Sequence, residues 1–229
     1  MAHNQKKKMI FLGYITPILK KLFIKKNVKI LGVGIEKKNL ISSEIQKFCE
    51  HKNLYYFDAK RINNNKEFYK LTKIADIIIV AAFSQLINIS KIPRFKNRIL
   101  NFHPSLLPMY RGGSPIEEQI LKGEVIGGIT FHWMREKFDD GPIVAQKKIR
   151  IKKNDDYKSL LKKYVKLGVL EIDKLFDDDI EKWKVQKSRL KSSMFLSRKE
   201  TDAIINFRNT YNEIDRVMRA FNWRMWPHI

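Results

Sequence analysis

The 229-residue chain has one cysteine, Cys49, which excludes an internal disulfide framework and a multi-cysteine metal site. It has no apolar run approaching the roughly eighteen residues that span a bilayer. The basic start, residues 1–8, runs into a strand-like segment without the small-residue cleavage site of a secretory signal. The cytoplasm is therefore the expected compartment, and no membrane partner is expected. Gly13 stands alone where a Gly-x-Gly-x-x-Gly would follow the first strand, and no Walker-type phosphate loop occurs, so dinucleotide and P-loop kinase chemistry lack their sequence basis. Negative charge is scarce too, with 24 acidic against 46 basic residues for a net charge of +22. The lysines are spread through every segment and not gathered in one stripe with interleaved aromatics. That pattern reads as a solvated basic surface that also attracts an anionic substrate, and nucleic acid is not the expected partner.

What is present alternates. Met9–Gly13 and Val28–Val33 read as strands, with Thr16-Pro17 opening a helix between them and Ser43 with Gln46 as a capping box for the next. Leu54–Phe57 reads as a short strand, Lys66–Thr72 as a helix, and Ala75–Ala81 as a strand apolar on both faces, suited to the centre of a parallel sheet. Strands alternating with helices imply an α/β fold with a doubly wound, mostly parallel sheet. Ser114 with Glu117 reads as a capping box with Pro115 at the first helical position. Ile126–Met134 and Ile143–Ile151 read as two strands around the Glu136–Gly141 turn, and Asn154–Asp156 as the cap of a long helix. Thr210 with Glu213 caps a last helix before an aromatic tail at residues 221–229.

The chain is organised around Leu100-Asn101-Phe102-His103-Pro104-Ser105-Leu106-Leu107-Pro108. On a strand, positions i and i+2 share a face, so Asn101 and His103 project side by side, and Pro104 ends the ladder. Polar side chains at a strand's C-terminal end are placed to form a site at the edge of an α/β sheet. An amide can donate to a developing oxyanion, an imidazole can move a proton, and a carboxylate can set the imidazole's protonation. His132, on a later strand, reads as structural.

With Tyr110-Arg111-Gly112-Gly113-Ser114-Pro115-Ile116 and Asp139-Asp140-Gly141-Pro142-Ile143, these blocks resemble the formyltransferases that use N10-formyltetrahydrofolate, over roughly residues 8 to 185. The resemblance implies a Rossmann-like catalytic domain over residues 1–185 and a C-terminal extension over 186–229. It implies Asn101, His103 and Asp139 as catalytic residues, with Asn101 and a protonated His103 steadying the oxyanion and Asp139 favouring the charged imidazole. Asp140 stands where the family often has a small residue. The same resemblance makes Phe83, Ser84, Gln85, Leu86 and Ile87, with Asp139, the wall of the folate pocket. It gives Ser105, Tyr110, Arg111 and Gly112 to the acceptor substrate. N10-formyltetrahydrofolate is the implied formyl donor, and no metal is implied.

The Arg198–Asp202 connector resembles the transfer-RNA and sugar branches, while the 229-residue length leaves no room for the further C-terminal domain of the transfer-RNA enzymes. The expected acceptor is therefore the amine of a nucleotide-linked sugar, a dTDP-3- or 4-amino-dideoxy sugar of lipopolysaccharide or O-antigen biosynthesis. Methionyl-tRNA and glycinamide ribonucleotide are the alternative acceptors. A folate- or nucleic-acid-binding protein without turnover is the alternative from another class. The aromatic tail is expected to pack against a domain or subunit, giving a homodimer.

Overall fold

The computed structural model of the chain describes residues 6–36, 40–178, 183, 185 and 191–222. Seven strands form one sheet: β1 (Lys7–Gly13), β2 (Val28–Ile35), β3 (Tyr56–Asp58), β4 (Ile77–Ala81), β5 (Ile99–His103), β7 (Ile126–Trp133) and β8 (Ile143–Arg150), in the order β3-β2-β1-β4-β5-β7-β8. β3 through β5 pair in parallel, and β7 and β8 add on antiparallel. A two-residue strand β6 (Arg111–Gly112) pairs in parallel with β9 (Met194–Phe195) in a separate small ladder. The expected doubly wound, mostly parallel sheet is what the chain forms.

Both faces of the sheet are apolar, as buried parallel strands require. On one face Phe11, Ile77, Ile79, Leu100, Phe102 and Phe131 meet α1 (Thr16–Phe23), α2 (Leu40–His51) and α5 (Tyr157–Leu175). On the other, Ile10, Leu12, Ile78, Val80 and Ile99 meet Phe68 of α3 (Lys66–Thr72) and the short turns at residues 89–95. Each fully buried aliphatic or aromatic side chain contributes about 1.5–3 kcal/mol. Gly168 on α5 is what lets that helix reach β5: a Cβ there would lie 2.6 Å from the Phe102 ring. The strand that ends in Asn101 and His103 is thereby fixed from behind.

Local signals set half of the helix starts. Asp156 caps α5 with a full capping box to Ser159, and Thr210 with Glu213 does the same for α6 (Tyr211–Phe221). Asn65 accepts from the Phe68 N–H at the start of α3. Three expected caps fail. α1 begins at Thr16 behind Ile15, and α2 begins at Leu40, which puts Ser43 inside the helix. Ser114 precedes α4 (Pro115–Leu121) in the left-handed region, φ 53°, where its side chain cannot reach back to cap. Its hydroxyl instead accepts from the Arg198 N–H at 3.0 Å.

Residues 191–222 do not fold apart from the rest. Ala203, Ala220 and Phe221 belong to the main core, and Arg219 donates to the Asp155 carbonyl at 2.8 Å. Trp183 stacks on Trp133 at 5.5 Å and donates to the Leu175 carbonyl, so the chain is anchored to the core on leaving α5. The aromatic tail from Trp223 onward lies outside the described residues. No helix among the described residues is long and apolar enough to cross a membrane.

Candidate active site

Asn101 and His103 share the face of β5 that also carries Ile99, and the apolar layer on that face gives way to polar groups where they stand. β7 runs antiparallel beside β5 with Asn101 directly opposite His132. Side chains opposite each other in such a pair lie close on one face. The Asn101 Nδ2 is 3.0 Å from His132 Nε2, whose other nitrogen lies 3.2 Å from the Trp133 carbonyl. The same Nε2 also faces the Asp139 carboxylate at 3.3 Å, so the ring stands between the Asn101 amide, that carboxylate and the Trp133 carbonyl. His132, expected to be structural, is thus part of the polar cluster.

Asp139 completes the cluster from the turn between β7 and β8. It sits at φ 49°, left-handed for a non-glycine residue, a conformation held by its surroundings at a cost of about 1–3 kcal/mol. Its Oδ1 accepts from the Asn101 amide at 3.3 Å and lies 3.3 Å from His132 Nε2. Its Oδ2 lies 3.5 Å from His103 Nδ1 and accepts from the Gly112 N–H at 2.8 Å. His103 Nε2 donates to the Tyr110 carbonyl at 2.8 Å. The three residues expected to do the chemistry therefore meet in one place, joined by His132.

The charges are set by burial and neighbours. Burial pushes the Asp139 carboxyl up, but the His103 and His132 rings and the Gly112 N–H outweigh it and hold the group at about 2. His103 goes the other way from expectation. Asp139 and the Tyr110 carbonyl favour its charged form, yet burial dominates and lowers its pKa below 6.5. At neutral pH the resting pair is an ionised Asp139 beside a neutral His103, and not the imidazolium that the motif alone suggested. A proton arriving on His103 would still find an acceptor at each nitrogen.

The residues assigned to the acceptor substrate are largely turned inward. The Ser105 hydroxyl is buried and donates to the Met109 carbonyl at 2.7 Å. The Tyr110 hydroxyl donates to Glu124, its ring stacks on Phe195 at 5.5 Å, and burial raises its pKa. The Arg111 guanidinium donates to the Phe138 carbonyl at 2.8 and 3.2 Å and pairs with Asp140 at 2.8 Å. As placed, Arg111 clamps both neighbours of Asp139, and Gly112 reaches the carboxylate through its backbone. These side chains build the site's frame; Asp140, where a small residue was the family's habit, supplies the clamp's other half.

The expected folate loop follows β4 at the sheet's C-terminal edge, next to the point where strand order reverses. Ala82 enters it at φ 57°. Its polar side chains are also engaged. Glu36, 2% exposed at the end of β2, accepts from Tyr14 at 2.7 Å, from the Ser84 hydroxyl at 2.8 Å and from the Gln85 amide at 2.6 Å. Gln85 further donates to the Ala59 carbonyl and accepts from the Ile62 N–H. Ile87 is buried, which leaves the half-buried Phe83 and Leu86 and the loop backbone to meet a ligand. Glu36 was missed in the sequence; its only sign is an acidic residue directly after an otherwise apolar strand.

A family model described as formyl transferase matches residues 25–171, a span that holds β5, β7 and the Asp139 turn. The chain belongs to this family. The formyltransferase is accordingly an enzyme of one-carbon formyl transfer. Methionyl-tRNA formyltransferase of Ureaplasma parvum serovar 3 is 33% identical to it over 94% of this chain and 74% of that protein. The Limosilactobacillus fermentum methionyl-tRNA formyltransferase is 29% identical over 93% of this chain and 72% of that one. Among solved structures, WlaRD, a sugar 3N-formyl transferase crystallised with dTDP and 5-N-formyl-THF, superposes with a TM-score of 0.75 at 28% identity, over 95% of this chain and 80% of that one. A 4-N formyltransferase from Francisella tularensis shares the fold, with a TM-score of 0.77 at 20% identity over 94% of this chain and 88% of that one.

Proposed function

We propose that this formyltransferase moves the formyl group of N10-formyltetrahydrofolate to the amine of a nucleotide-linked amino sugar. The observation that carries the reading is the match to the sugar 3N-formyl transferase across 95% of this chain, extension included, in a structure holding dTDP and a formylated folate. The site's chemistry fits. Asn101 exchanges its longer 3.3 Å contact with Asp139 for the formyl oxygen and donates to it as negative charge builds there. The proton leaving the attacking amine passes to the neutral His103 beside ionised Asp139, and returns to N10 of the donor as the C–N bond breaks. In this reading Asn101, His103 and Asp139 are the catalytic residues, His132 orients the amide of Asn101, and Phe83–Ile87 form the donor's wall.

A second acceptor has its own support: the curated relatives at 29–33% identity are methionyl-tRNA formyltransferases, and the charge of +22 suits a polyphosphate backbone. Release of tetrahydrofolate from N10-formyltetrahydrofolate decides between them. The panel is dTDP-linked 3- and 4-amino sugars, charged initiator transfer RNA and glycinamide ribonucleotide. Rapid release with one amino sugar alone is the expected result. Release with transfer RNA alone would keep the chemistry and overturn the acceptor.

A further inference from the structure

Asp139 keeps a left-handed backbone, φ 49°, which a non-glycine residue holds only where its surroundings over-determine it. The stem of its turn is closed. The Trp133 N–H donates to the Pro142 carbonyl at 2.9 Å, and a Cβ on Gly141 would lie 1.5 Å from the Trp133 oxygen. The tip projects outward, with Phe138 43% and the Asp140 side chain 46% exposed, so the carboxylate between them has to be aimed inward.

Arg111 reaches that tip from β6. Its Nε and Nη2 donate to the Phe138 carbonyl at 3.2 and 2.8 Å, and its Nη1 pairs with Asp140 at 2.8 Å. The peptide unit is planar, so turning the Phe138 carbonyl turns the φ of Asp139 with it. With Asp140 on the other side, one guanidinium fixes the chain before and after the carboxylate. The next residue, Gly112, donates its N–H to Asp139 Oδ2 at 2.8 Å. β6 is itself pinned, since the Arg111 N–H donates to the Ser193 carbonyl at 2.9 Å and the Gly113 N–H to the Phe195 carbonyl at 3.0 Å. An ion pair as open to solvent as Arg111–Asp140 adds little to stability. What the fork settles is direction, which a planar group with five donors holds and an ammonium does not.

We propose that Arg111 is a positioning residue for formyl transfer: through the Phe138 carbonyl and Asp140 it holds Asp139 at the angle from which the carboxylate meets Asn101 and His103. This rests on the assignment of Asp139 to the chemistry above. In this role Arg111 touches neither donor nor acceptor, so its loss lowers kcat and leaves KM in place. A catalytic group displaced by about 1 Å costs on the order of 10²-fold.

The test is steady-state release of tetrahydrofolate from N10-formyltetrahydrofolate with the same acceptor panel, in Arg111→Ala, Arg111→Lys, Asp140→Asn and Asp139→Asn, with thermal melts alongside. Arg111→Ala keeps the backbone bonds of β6 to β9, and its kcat should fall about 10- to 10²-fold with KM for donor and acceptor within about twofold of wild type. Arg111→Lys, which keeps the charge and loses the fork, should stay at least about fivefold below wild type in kcat. Asp140→Asn changes an exposed side chain, so it should melt as the wild type does and still lose about threefold in kcat. The double variant Arg111→Ala/Asp140→Asn should be no slower than Arg111→Ala, because both act through one tip. A kcat within twofold of wild type in Arg111→Ala or Arg111→Lys overturns the proposal while an impaired Asp139→Asn keeps the catalytic reading. A raised acceptor KM at unchanged kcat gives Arg111 to substrate binding and also overturns it. Wild-type turnover in Asp139→Asn removes the catalytic reading and the proposal with it.

Discussion

Replacing Asp139 by Asn tests the site at its most constrained point. The substitution keeps the shape of the side chain and removes the charge that faces His103, His132 and the Gly112 N–H. A carboxyl held at about 2 and not at its ordinary 3.8 contributes about 2 kcal/mol to stability at neutral pH. At 9% side-chain exposure solvent takes little of that away. The sign follows from the lowered pKa: the contribution is complete above about 4 and disappears as the pH falls towards 2. At pH 7 Asp139→Asn should therefore melt about 4–8 °C below the wild type, since 1 kcal/mol moves a domain of this size by about 2–4 °C. That gap should close on acidification below pH 4. Turnover should fall at least about 10²-fold, the lower range for losing a positioned acid–base group. Thermal melts over pH 3–8 and donor-cleavage kinetics with the cognate acceptor report both. A variant that turns over within tenfold of wild type would refute the assignment of Asp139 to the chemistry; one that melts as the wild type does at pH 7 would refute the electrostatic account.

Other outcomes follow from named contacts. Because burial lowers the pKa of His103, the native state resists taking up its proton, so stability falls as the pH drops through 6.5; His103→Asn should flatten melting temperature against pH between 7 and 5. Glu36→Gln leaves volume unchanged but weakens hydrogen bonds from Tyr14, Ser84 and Gln85; the KM for the folate donor should rise several-fold while kcat moves less, measured by initial rates. Gly112→Ala would put a Cβ 2.3 Å from the Phe195 carbonyl at φ +88°, so a loss of about 1–3 kcal/mol and of turnover together is expected from melts and kinetics. Arg198→Ala leaves Glu118, 1% exposed, without the guanidinium at 2.5 Å; denaturant unfolding should show a loss of about 3–5 kcal/mol.

The sheet and the positions of Asn101, His103 and Asp139 could be read from residue pattern because each depends on local chemistry. Alternation and apolar runs set the strands, Pro104 set the end of β5, and the Asp156 and Thr210 caps act within four residues of themselves. What could not be read depends on contacts between distant segments. Ser114 looks like a helix cap, yet Arg198, 84 positions later, takes its hydroxyl and accompanies a left-handed backbone that no capping box tolerates. His132 joins Asn101 only through the register of β5 on β7, although Thr130 and His132, two polar residues on one face of a buried strand, were a signal. The inward turn of Ser105, Tyr110 and Arg111 needed the positions of Met109, Glu124 and Asp140. The neutral state of His103 needed its depth of burial, which a motif does not carry.

The pairing of β6 with β9 has a consequence for how this enzyme can change. Arg111 and Gly113 donate backbone N–H groups to Ser193 and Phe195, while Gly112 between them donates to Asp139. Three successive residues thus serve the extension and the site by turns. A lineage that exchanged this extension for another would be retuning the carboxylate in the same step. Changes in the extension and in the site are coupled here, and grafting a foreign extension onto this core should succeed only when its own strand restores that register.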